Sequence, residues 1–213
     1  MPETVGYDEW TRMLRGAAQQ VKDNHDTLSK LDSHGGDGDH GTTMLRAMGC
    51  LEKTIDAATS RDVQQLLNDV GWAIMGVDGG ATGPLLGTLF MSMAETASGK
   101  ETLGARDLAA MFEAGLAGIQ EQTKAKVGDK TMIDALVPAV QAMRNAAEED
   151  RDVALVLDRA AKAAEQGAAA TKDLQARFGR AKNIGEKSIG AQDPGATSMS
   201  LIFRGLAEGI REM

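Results

Sequence analysis

Three observations predict that the sequence folds as an all-α protein. Apolar residues recur three or four positions apart in eight successive segments of the 213-residue chain. The alternation of apolar and polar residues that is typical of a half-buried strand is not convincing anywhere. Aromatic residues make up only 3% of the chain, whereas alanine, leucine, methionine and glycine abound, which favours closely packed helices over sheet.

The predicted helices follow one another with short connections, so an antiparallel, up-and-down assembly is expected. Pro84 supports the start of the fourth helix, because proline is favoured in the first helical turn, and Gly79-Gly80 marks the end of the third. The eight predicted helices cover residues 10–31, 45–55, 63–74, 84–90, 108–119, 133–143, about 152–178, and 199–210.

Composition narrows the class of protein. No low-complexity linker divides the chain, so one domain over residues 1–213 is expected. The net charge of −8 argues against nucleic acid or an anionic membrane as a partner, because such binding relies on clustered lysine and arginine. The N-terminus lacks the pattern of a signal peptide, and no apolar run is long enough to span a membrane, so a cytoplasmic protein is expected.

The connections are of two kinds. Glycine-rich loops follow the odd-numbered helices, and plainer polar loops follow the even-numbered ones. In an up-and-down assembly the odd-numbered connections share one end, so the loops at 32–41, 78–83, 123–130 and 179–195 are predicted to meet at a common rim. Helix order alone therefore places the unusual residues of the chain in one site.

The first of these loops crowds three carboxylates and two histidines into nine positions. Asp32, Asp37 and Asp39 lie there with His34 and His40 among glycines. Charges about 4 Å apart repel by roughly 1 kcal/mol in bulk water and by roughly 4 kcal/mol at an effective dielectric of 20. The cluster therefore calls for a cation. Oxygen ligands suit Mg2+ or Ca2+, and Mg2+ commonly binds a few carboxylates together with the phosphates of a substrate.

The same run suggests three other interpretations: a calcium loop, a zinc site and an acidic turn that caps a helix. A calcium loop that began at Asp37 would need glycine at its sixth position and glutamate at its twelfth, where the chain has Thr42 and Met48, so an EF-hand is excluded. A zinc site that uses His34 and His40 with one or two aspartates stays open. A solvated acidic turn that caps a helix stays open as well.

Two further loops offer groups for phosphate and ribose. The glycine-rich turn at 77–84 opens a helix, so its N–H groups, the helix dipole and the Thr82 hydroxyl suit phosphates, although the lysine of the P-loop pattern is missing. The segment 180–195 supplies bases such as Arg180 for a polyphosphate. Asp193 is placed either to accept hydrogen bonds from ribose hydroxyls or to cap the last helix.

Four separated motifs occupy the four loops. They are Gly36-Asp-Gly-Asp-His-Gly41, Gly79-Gly-Ala-Thr-Gly-Pro-Leu-Leu-Gly87, Gly128-Asp-Lys-Thr-Met-Ile-Asp134 and Gly185-Glu-Lys-Ser-Ile-Gly-Ala-Gln-Asp-Pro-Gly-Ala-Thr-Ser198. In this order they resemble the motifs of the L subunit of bacterial dihydroxyacetone kinase, the nucleotide-binding half of a two-subunit enzyme. The resemblance spans essentially the whole chain.

The resemblance implies an eight-helix barrel that binds ADP or ATP at one end. It implies two Mg2+ ions held by Asp32, Asp37 and Asp39, and these residues together with Arg180 are the predicted catalytic set. The nucleotide contacts that carry over are His40, Thr43, Gly80, Ala81, Thr82, Leu85, Gly128, Thr131, Met132, Arg180, Asp193 and Gly195.

The resemblance also implies a partner. Members of this family leave the sugar to a separate K subunit, which holds dihydroxyacetone covalently on a histidine, and phosphate passes between the docked subunits. Some systems exchange ADP for ATP, and in others a phosphotransferase protein rephosphorylates the bound ADP. Such a donor protein is therefore a further candidate partner, and a homodimer stays open.

Four positions depart from the family pattern: Thr43, Thr82, Lys187 and Ala191 stand where the family usually has Asn, Ser, Arg and His. Lysine lacks the fork geometry of arginine, although no metal ligand is affected. A related ketose such as a tetrulose is therefore as good a candidate substrate as dihydroxyacetone. Two rival hypotheses are a non-catalytic nucleotide-binding module that regulates a protein partner and a structural bundle with a metal-stabilised turn.

Overall fold

The computed structural model describes residues 2–211. Over that range it holds nine α-helices, two short 3-10 helices at Thr171–Asp173 and Arg180–Ser188, and one pair of two-residue strands. The elements in chain order are β1 (Thr4–Val5), α1 (Tyr7–Asp23), α2 (His25–Asp32), α3 (His40–Ala57), α4 (Val63–Met75), α5 (Thr82–Thr96), β2 (Leu103–Gly104), α6 (Ala105–Gln122), α7 (Ile133–Glu149), α8 (Val153–Ala170) and α9 (Pro194–Gly209).

Eight of these helices form the wall of a closed barrel. From α3 to α9 each helix packs on the next one in the chain, and α1 closes the ring by packing on both α9 and α3. The short helix α2 packs on α3 and α9 and leads into the first glycine-rich loop. The antiparallel pair β1–β2 joins the starts of α1 and α6. The predicted all-α class and helical barrel are confirmed.

The core is built from the apolar stripes of the wall helices. Trp10, Phe112 and Phe203 are buried in it, and the two phenylalanine rings lie 5.1 Å apart between centroids. Full burial of a side chain of this size stabilises the fold by about 1.5–3 kcal/mol. Small residues set the closest crossing, because a Cβ on Gly16 would collide with the backbone of α9 at Gly205. Among the described helices none is long and apolar enough to cross a membrane.

The first predicted helix, residues 10–31, is two helices. Asn24 interrupts it with φ −112° and ψ 8°, and its side-chain amide donates to the carbonyl of Gln20 at 2.8 Å. The carbonyl of His25 lies directly against Gly41, where a Cβ would collide. The chain therefore breaks where the start of α3 packs against it, although the apolar spacing continues across the break.

The seventh predicted helix, 152–178, ends earlier than expected, at Ala170. Thr171 is fully buried there, and its hydroxyl donates back to the carbonyl of Ala168 at 2.5 Å. The same oxygen accepts from the backbone N–H of Asp193 at 2.8 Å. These bonds end α8 and turn residues 171–178 toward the rim that carries the site.

Candidate functional site

The four glycine-rich loops meet at one end of the barrel, as helix order predicts. They surround a cavity of about 280 Å³. Each loop contributes to its wall: the first gives His40, the second Ala81 and Thr82, the third Thr123, Ala125 and Lys130, and the fourth Gly179 and Asp193. The deeper wall is apolar and comes from Met44, Leu86, Ile133, Met199 and Ile202. The cavity thus has polar groups at its rim and apolar groups in its interior, which suits a ligand with a charged and an apolar part.

Three carboxylates form a cluster beside this cavity. Asp32 ends α2, Asp37 lies in the loop, and Asp39 precedes α3. One oxygen from each lies within 4.8 Å of the others. Asp39 occupies the N-cap position of α3, yet its side chain makes no cap hydrogen bond with the described residues, so its carboxylate is available to the cluster. Gly36 packs closely against this group, because a Cβ there would meet the carboxylate of Asp32.

The cluster carries excess negative charge. The pKa of Asp39 is raised, first because its carboxyl group is partly desolvated and second because the charge of Asp37 repels ionisation. The Arg180 guanidinium opposes this effect, with Nη1 at 2.7 Å from Asp37 Oδ1 and at 3.7 Å from Asp39 Oδ1. Three oxygen donors that already attract a cation fit a hard divalent ion such as Mg2+.

The two histidines of the run contact groups outside the carboxylate cluster. His34 Nε2 lies 2.9 Å from the carbonyl of Lys187, and His40 Nε2 lies 3.1 Å from Ser198 Oγ. Within residues 2–211 the metal-ligating side chains that converge here are the three aspartates alone. The zinc site that the sequence left open is therefore not formed. A simple capping role for the acidic turn is not found either, because Asp39 does not cap α3.

His40 links the glycine-rich turn before α5 to α9. Its ring is largely buried, its Nδ1 lies 3.4 Å from Thr82 Oγ1, and its Nε2 faces Ser198. Burial lowers the pKa of His40, while the nearby charge of Asp32 opposes that effect. The neutral ring thus links three elements, α3, α5 and α9. Sequence reasoning missed Ser198, and its only signal was its place at the end of the fourth motif.

The turn before α5 packs on Thr43 and Arg46 of α3. Gly79 has φ +138°, and a Cβ on it would collide with Thr43. Arg46 Nη2 donates to the carbonyl of Asp78 at 3.0 Å and to Thr43 Oγ1 at 3.3 Å. Ala81 is the N-cap residue of α5, and no described side chain caps that helix. The first N–H groups of α5 therefore face the rim free of a capping side chain, as a bound anion would need.

The opposite end of the barrel shows the contrast. Every wall helix that begins there has a carboxylate that accepts from a backbone N–H of its first turn or cap. These bonds are Gly6 N to Glu9 at 2.9 Å, Gln65 N to Asp62 at 2.9 Å, Gly104 N to Asp107 at 2.9 Å and Ala154 N to Asp152 at 3.0 Å. The start of α5 differs from all four, because no described side chain caps it.

Asp193 closes the cavity on the side of α9. Its carboxylate accepts from Ala196 N at 2.7 Å and so caps α9, which is the second of the two roles that the sequence left open. Burial raises the pKa of Asp193 to about 7. Met132 and Thr131, at the start of α7, line the same cavity with Leu85 of α5.

The structure brings most of the predicted nucleotide residues to one wall. Those that line the cavity are His40, Ala81, Thr82, Leu85, Thr131, Met132, Asp193 and Gly195. Four lie elsewhere: Thr43 beneath the turn, Gly80 within it, Gly128 bonded through its N–H to Asp134 at 2.6 Å, and Arg180 on the carboxylate cluster. The sequence analysis missed Lys130 and Phe178 on the wall. Their binding roles stay predictions.

Comparison with known proteins places the chain. A family model described as the DAK2 domain matches residues 34–208. The ADP-binding subunit DhaL of PEP-dependent dihydroxyacetone kinase 1 from Listeria innocua is 39% identical over 204 residues, which are 95% of this chain and 97% of that protein. The chain belongs to the dihydroxyacetone kinase L-subunit family. The corresponding DhaL subunit of Escherichia coli is 38% identical over 185 residues, or 87% of this chain and 88% of that protein.

A solved structure shares the fold. The dihydroxyacetone kinase from C. freundii in complex with AMP-PNP and Mg2+ aligns with a TM-score of 0.70 at 26% identity. The match covers 92% of this chain but only 33% of that one, so the chain corresponds to about a third of the larger protein. Both the family and the barrel that the motifs predicted are therefore confirmed.

Proposed function

We propose that the chain is the Mg-nucleotide-binding subunit of a two-subunit kinase that phosphorylates dihydroxyacetone or a related short ketose held on a separate K subunit. The observation that carries the proposal is the position of three carboxylates, Asp32, Asp37 and Asp39, beside a cavity walled by all four motif loops. The printed names of the relatives, which are ADP-binding kinase subunits, support the same function.

The three aspartates would hold Mg2+, and the resemblance implies two ions. Bound with the phosphates of a nucleotide, Mg2+ neutralises the charge of the transferring group and orients it. The donor set fits this role because it consists of carboxylate oxygens alone.

The protein's own groups supply orientation and positive charge. The free N–H groups at the start of α5 and the Thr82 hydroxyl bind phosphate oxygens, while His40 keeps that hydroxyl in place. Arg180 is about half exposed, so its guanidinium can pass from Asp37 to a phosphate without a large cost of desolvation. Phosphoryl transfer asks little covalent chemistry of the protein, so these contacts account for its role.

The contacts of the three histidines are consistent with a sugar that is bound on another subunit. Each of the three is engaged within the chain: His25 Nδ1 at 2.7 Å from the carbonyl of Lys22, His34 with Lys187, and His40 with Ser198. One ring nitrogen of each histidine is thus committed to a partner within the chain. Because the resemblance also implies that the sugar is held on the K subunit, we expect that the chain alone does not phosphorylate dihydroxyacetone.

Calorimetric titration of ADP tests the nucleotide site. With protein stripped by EDTA and desalted, we expect tight binding only when Mg2+ is added. Asp37→Asn should abolish that binding, and Asp69→Asn, the same change at an exposed position of α4, should not. ADP affinity that is unchanged in Asp37→Asn would contradict the metal assignment.

Activity with a purified K subunit tests the rest. We expect phosphate flux to dihydroxyacetone or a tetrulose only when both subunits and a phosphate donor are present. ATP and a phosphorylated phosphotransferase protein are tested as separate donors. Turnover by the chain alone would refute the split-subunit proposal, and ADP binding without flux would favour the regulatory module.

A further inference from the structure

Lys130 is an unusual residue on the wall of the site. Within residues 2–211 it is the one non-glycine residue with positive φ, at +62°. A lysine in the left-handed region is strained, and such strain persists only where surrounding contacts hold it. Its side chain is also buried, with 5% of its surface exposed. Lysine is rarely this buried without partners, so its partners are informative.

Those partners lie at the two ends of one segment. Lys130 Nζ donates to the carbonyl of Thr171 and to the carbonyl of Ala191, both at 2.6 Å. Between these two residues the chain leaves α8, crosses the rim and returns toward α9. The backbone bond from Gly190 N to the carbonyl of Lys172, at 2.8 Å, lies beside them. The ammonium group therefore joins the base of segment 171–191.

Burial and nearby charges act on the Lys130 ammonium group in opposite directions, and burial has the larger effect on its pKa. Burial lowers the pKa of Lys130, but the carboxylates of Asp193, Asp134 and Asp173 oppose that effect. Both hydrogen bonds to the carbonyls are charge-assisted, which makes them about twice as strong as neutral ones. An apolar side chain of similar length would leave both carbonyls buried without this donor.

The tied segment carries functional groups of the site. Phe178 and Gly179 line the cavity, and Arg180 reaches Asp37 at 2.7 Å. Asp193 lies two residues beyond the segment, and its N–H donates to Thr171 Oγ1 at 2.8 Å. Arg180 is thus placed by a long connection whose ends Lys130 holds together.

We propose that Lys130 is a positioning residue, which joins the two ends of segment 171–191 and thereby places Arg180 at the carboxylate cluster and Asp193 at the cavity. The proposal rests on the nucleotide site proposed above and adds a residue to it. Under this proposal Lys130 acts through the segment, because both hydrogen bonds of its Nζ go to backbone carbonyls at the ends of the segment.

Two substitutions separate the ammonium group from the strained backbone. Lys130→Met removes the donor and keeps the left-handed strain, whereas Lys130→Gly removes the donor and relieves the strain. Lys126→Met is the matched control, because Lys126 is an exposed residue of the same loop. Lys130→Gly also guards against a failure of Lys130→Met to fold.

Hydrogen exchange of the nucleotide-free protein is the first measurement. In both Lys130 variants we expect the amides of Gly190 and Asp193 to exchange at least about tenfold faster, because the segment opens more often when its charged donor is lost. In the Lys126 variant they should exchange as in the parent. Unchanged exchange in Lys130→Gly would overturn the proposal, whatever the protein does with nucleotides.

Chemical rescue is the second measurement. We expect Lys130→Gly to bind Mg-ADP at least about tenfold more weakly, and added ethylammonium to restore the affinity because it supplies N–H donors. Tetramethylammonium, which has none, should not restore it. If a folded Lys130→Gly binds as the parent does, or if neither cation restores binding, the proposal fails. If the parent itself does not bind Mg-ADP, the proposed function fails while the exchange result still decides the role of Lys130.

Discussion

Asp39→Asn should stabilise the metal-free protein while it destroys the metal response. At 4.8 Å, the outer limit of the separation between the ligand oxygens, one repulsion amounts to about 0.9 kcal/mol in water and about 3.5 kcal/mol at a dielectric of 20. The Asp39 side chain is 42% exposed, so the value for water applies. Relief from two such repulsions, with Asp32 and Asp37, is worth about 1.7 kcal/mol.

The substitution also removes an attraction. Arg180 lies 3.7 Å from Asp39, and at the same dielectric that pair contributes about 1.1 kcal/mol. The net gain is therefore about 0.6 kcal/mol, which raises the melting temperature of a chain of this size by about 1–2 °C.

Thermal unfolding in EDTA and then in Mg2+ measures both effects. We expect Asp39→Asn to melt higher than the parent in EDTA and to gain nothing from Mg2+, because one of three ligands is lost. Asp69→Asn on α4 controls for the general effect of one fewer negative charge. A variant that melts below the parent in EDTA, or that gains as much as the parent from Mg2+, would refute the reasoning.

Three more predictions concern the same rim. Gly79→Ala should lower the free energy of unfolding, measured in urea, by about 1–3 kcal/mol, because φ is +138° and Thr43 fills the space that a Cβ would take. Gly76→Ala is the control, since a Cβ there meets no described atom within 4 Å and stability should not fall. Equal effects of the two substitutions would contradict this reasoning. The pKa of Asp193 is raised to about 7 in the fold, so this carboxyl group increasingly destabilises the fold as pH rises from about 4 to 7. The stability of Asp193→Asn relative to the parent should therefore increase by about 2 kcal/mol between pH 5 and pH 7. A difference in stability that stays constant over this pH range would count against it. Arg180→Met should raise the affinity for Mg2+ without nucleotide by up to about fivefold, since an exposed ion pair worth about 0.2–1 kcal/mol no longer competes, and calorimetry that shows weaker binding would oppose this.

Much of the site followed from the order of the chain. Helices of alternating direction place every second loop at one end, so the carboxylate loop and the turn at Gly79 were expected at the same end of the barrel. The aspartates were also predictable, because three carboxylates so close in sequence remain close in space. The sequence did not show that His34 and His40 would contact Lys187 and Ser198 and not the aspartates, because histidine in such a run is equally typical of a metal ligand.

Tertiary contacts decided the rest. The apolar spacing of residues 10–31 predicts one helix, whereas the structure breaks it at Asn24, where the carbonyl of His25 packs against Gly41. Lys130 has the sequence context of an exposed turn residue, directly after Gly128-Asp129. Its burial depends on the carbonyls of Thr171 and Ala191, which lie 41 and 61 residues further along the chain. Local propensity carries no information about such partners.

The two halves of the site have opposite electrostatic needs. The free start of α5 attracts phosphate, whereas the cluster of Asp32, Asp37 and Asp39 repels it. The helix starts at the far end are already satisfied by carboxylates, as at Asp62 before α4, and so is the start of α9 at Asp193. These starts are therefore not open to an anion as the start of α5 is. Under the proposed function, a divalent cation on the aspartates removes the repulsion that phosphate meets, and phosphate oxygens complete the shell of the cation. Because coupling between two ligands is reciprocal, Mg2+ must strengthen nucleotide binding by the same factor by which nucleotide strengthens Mg2+ binding.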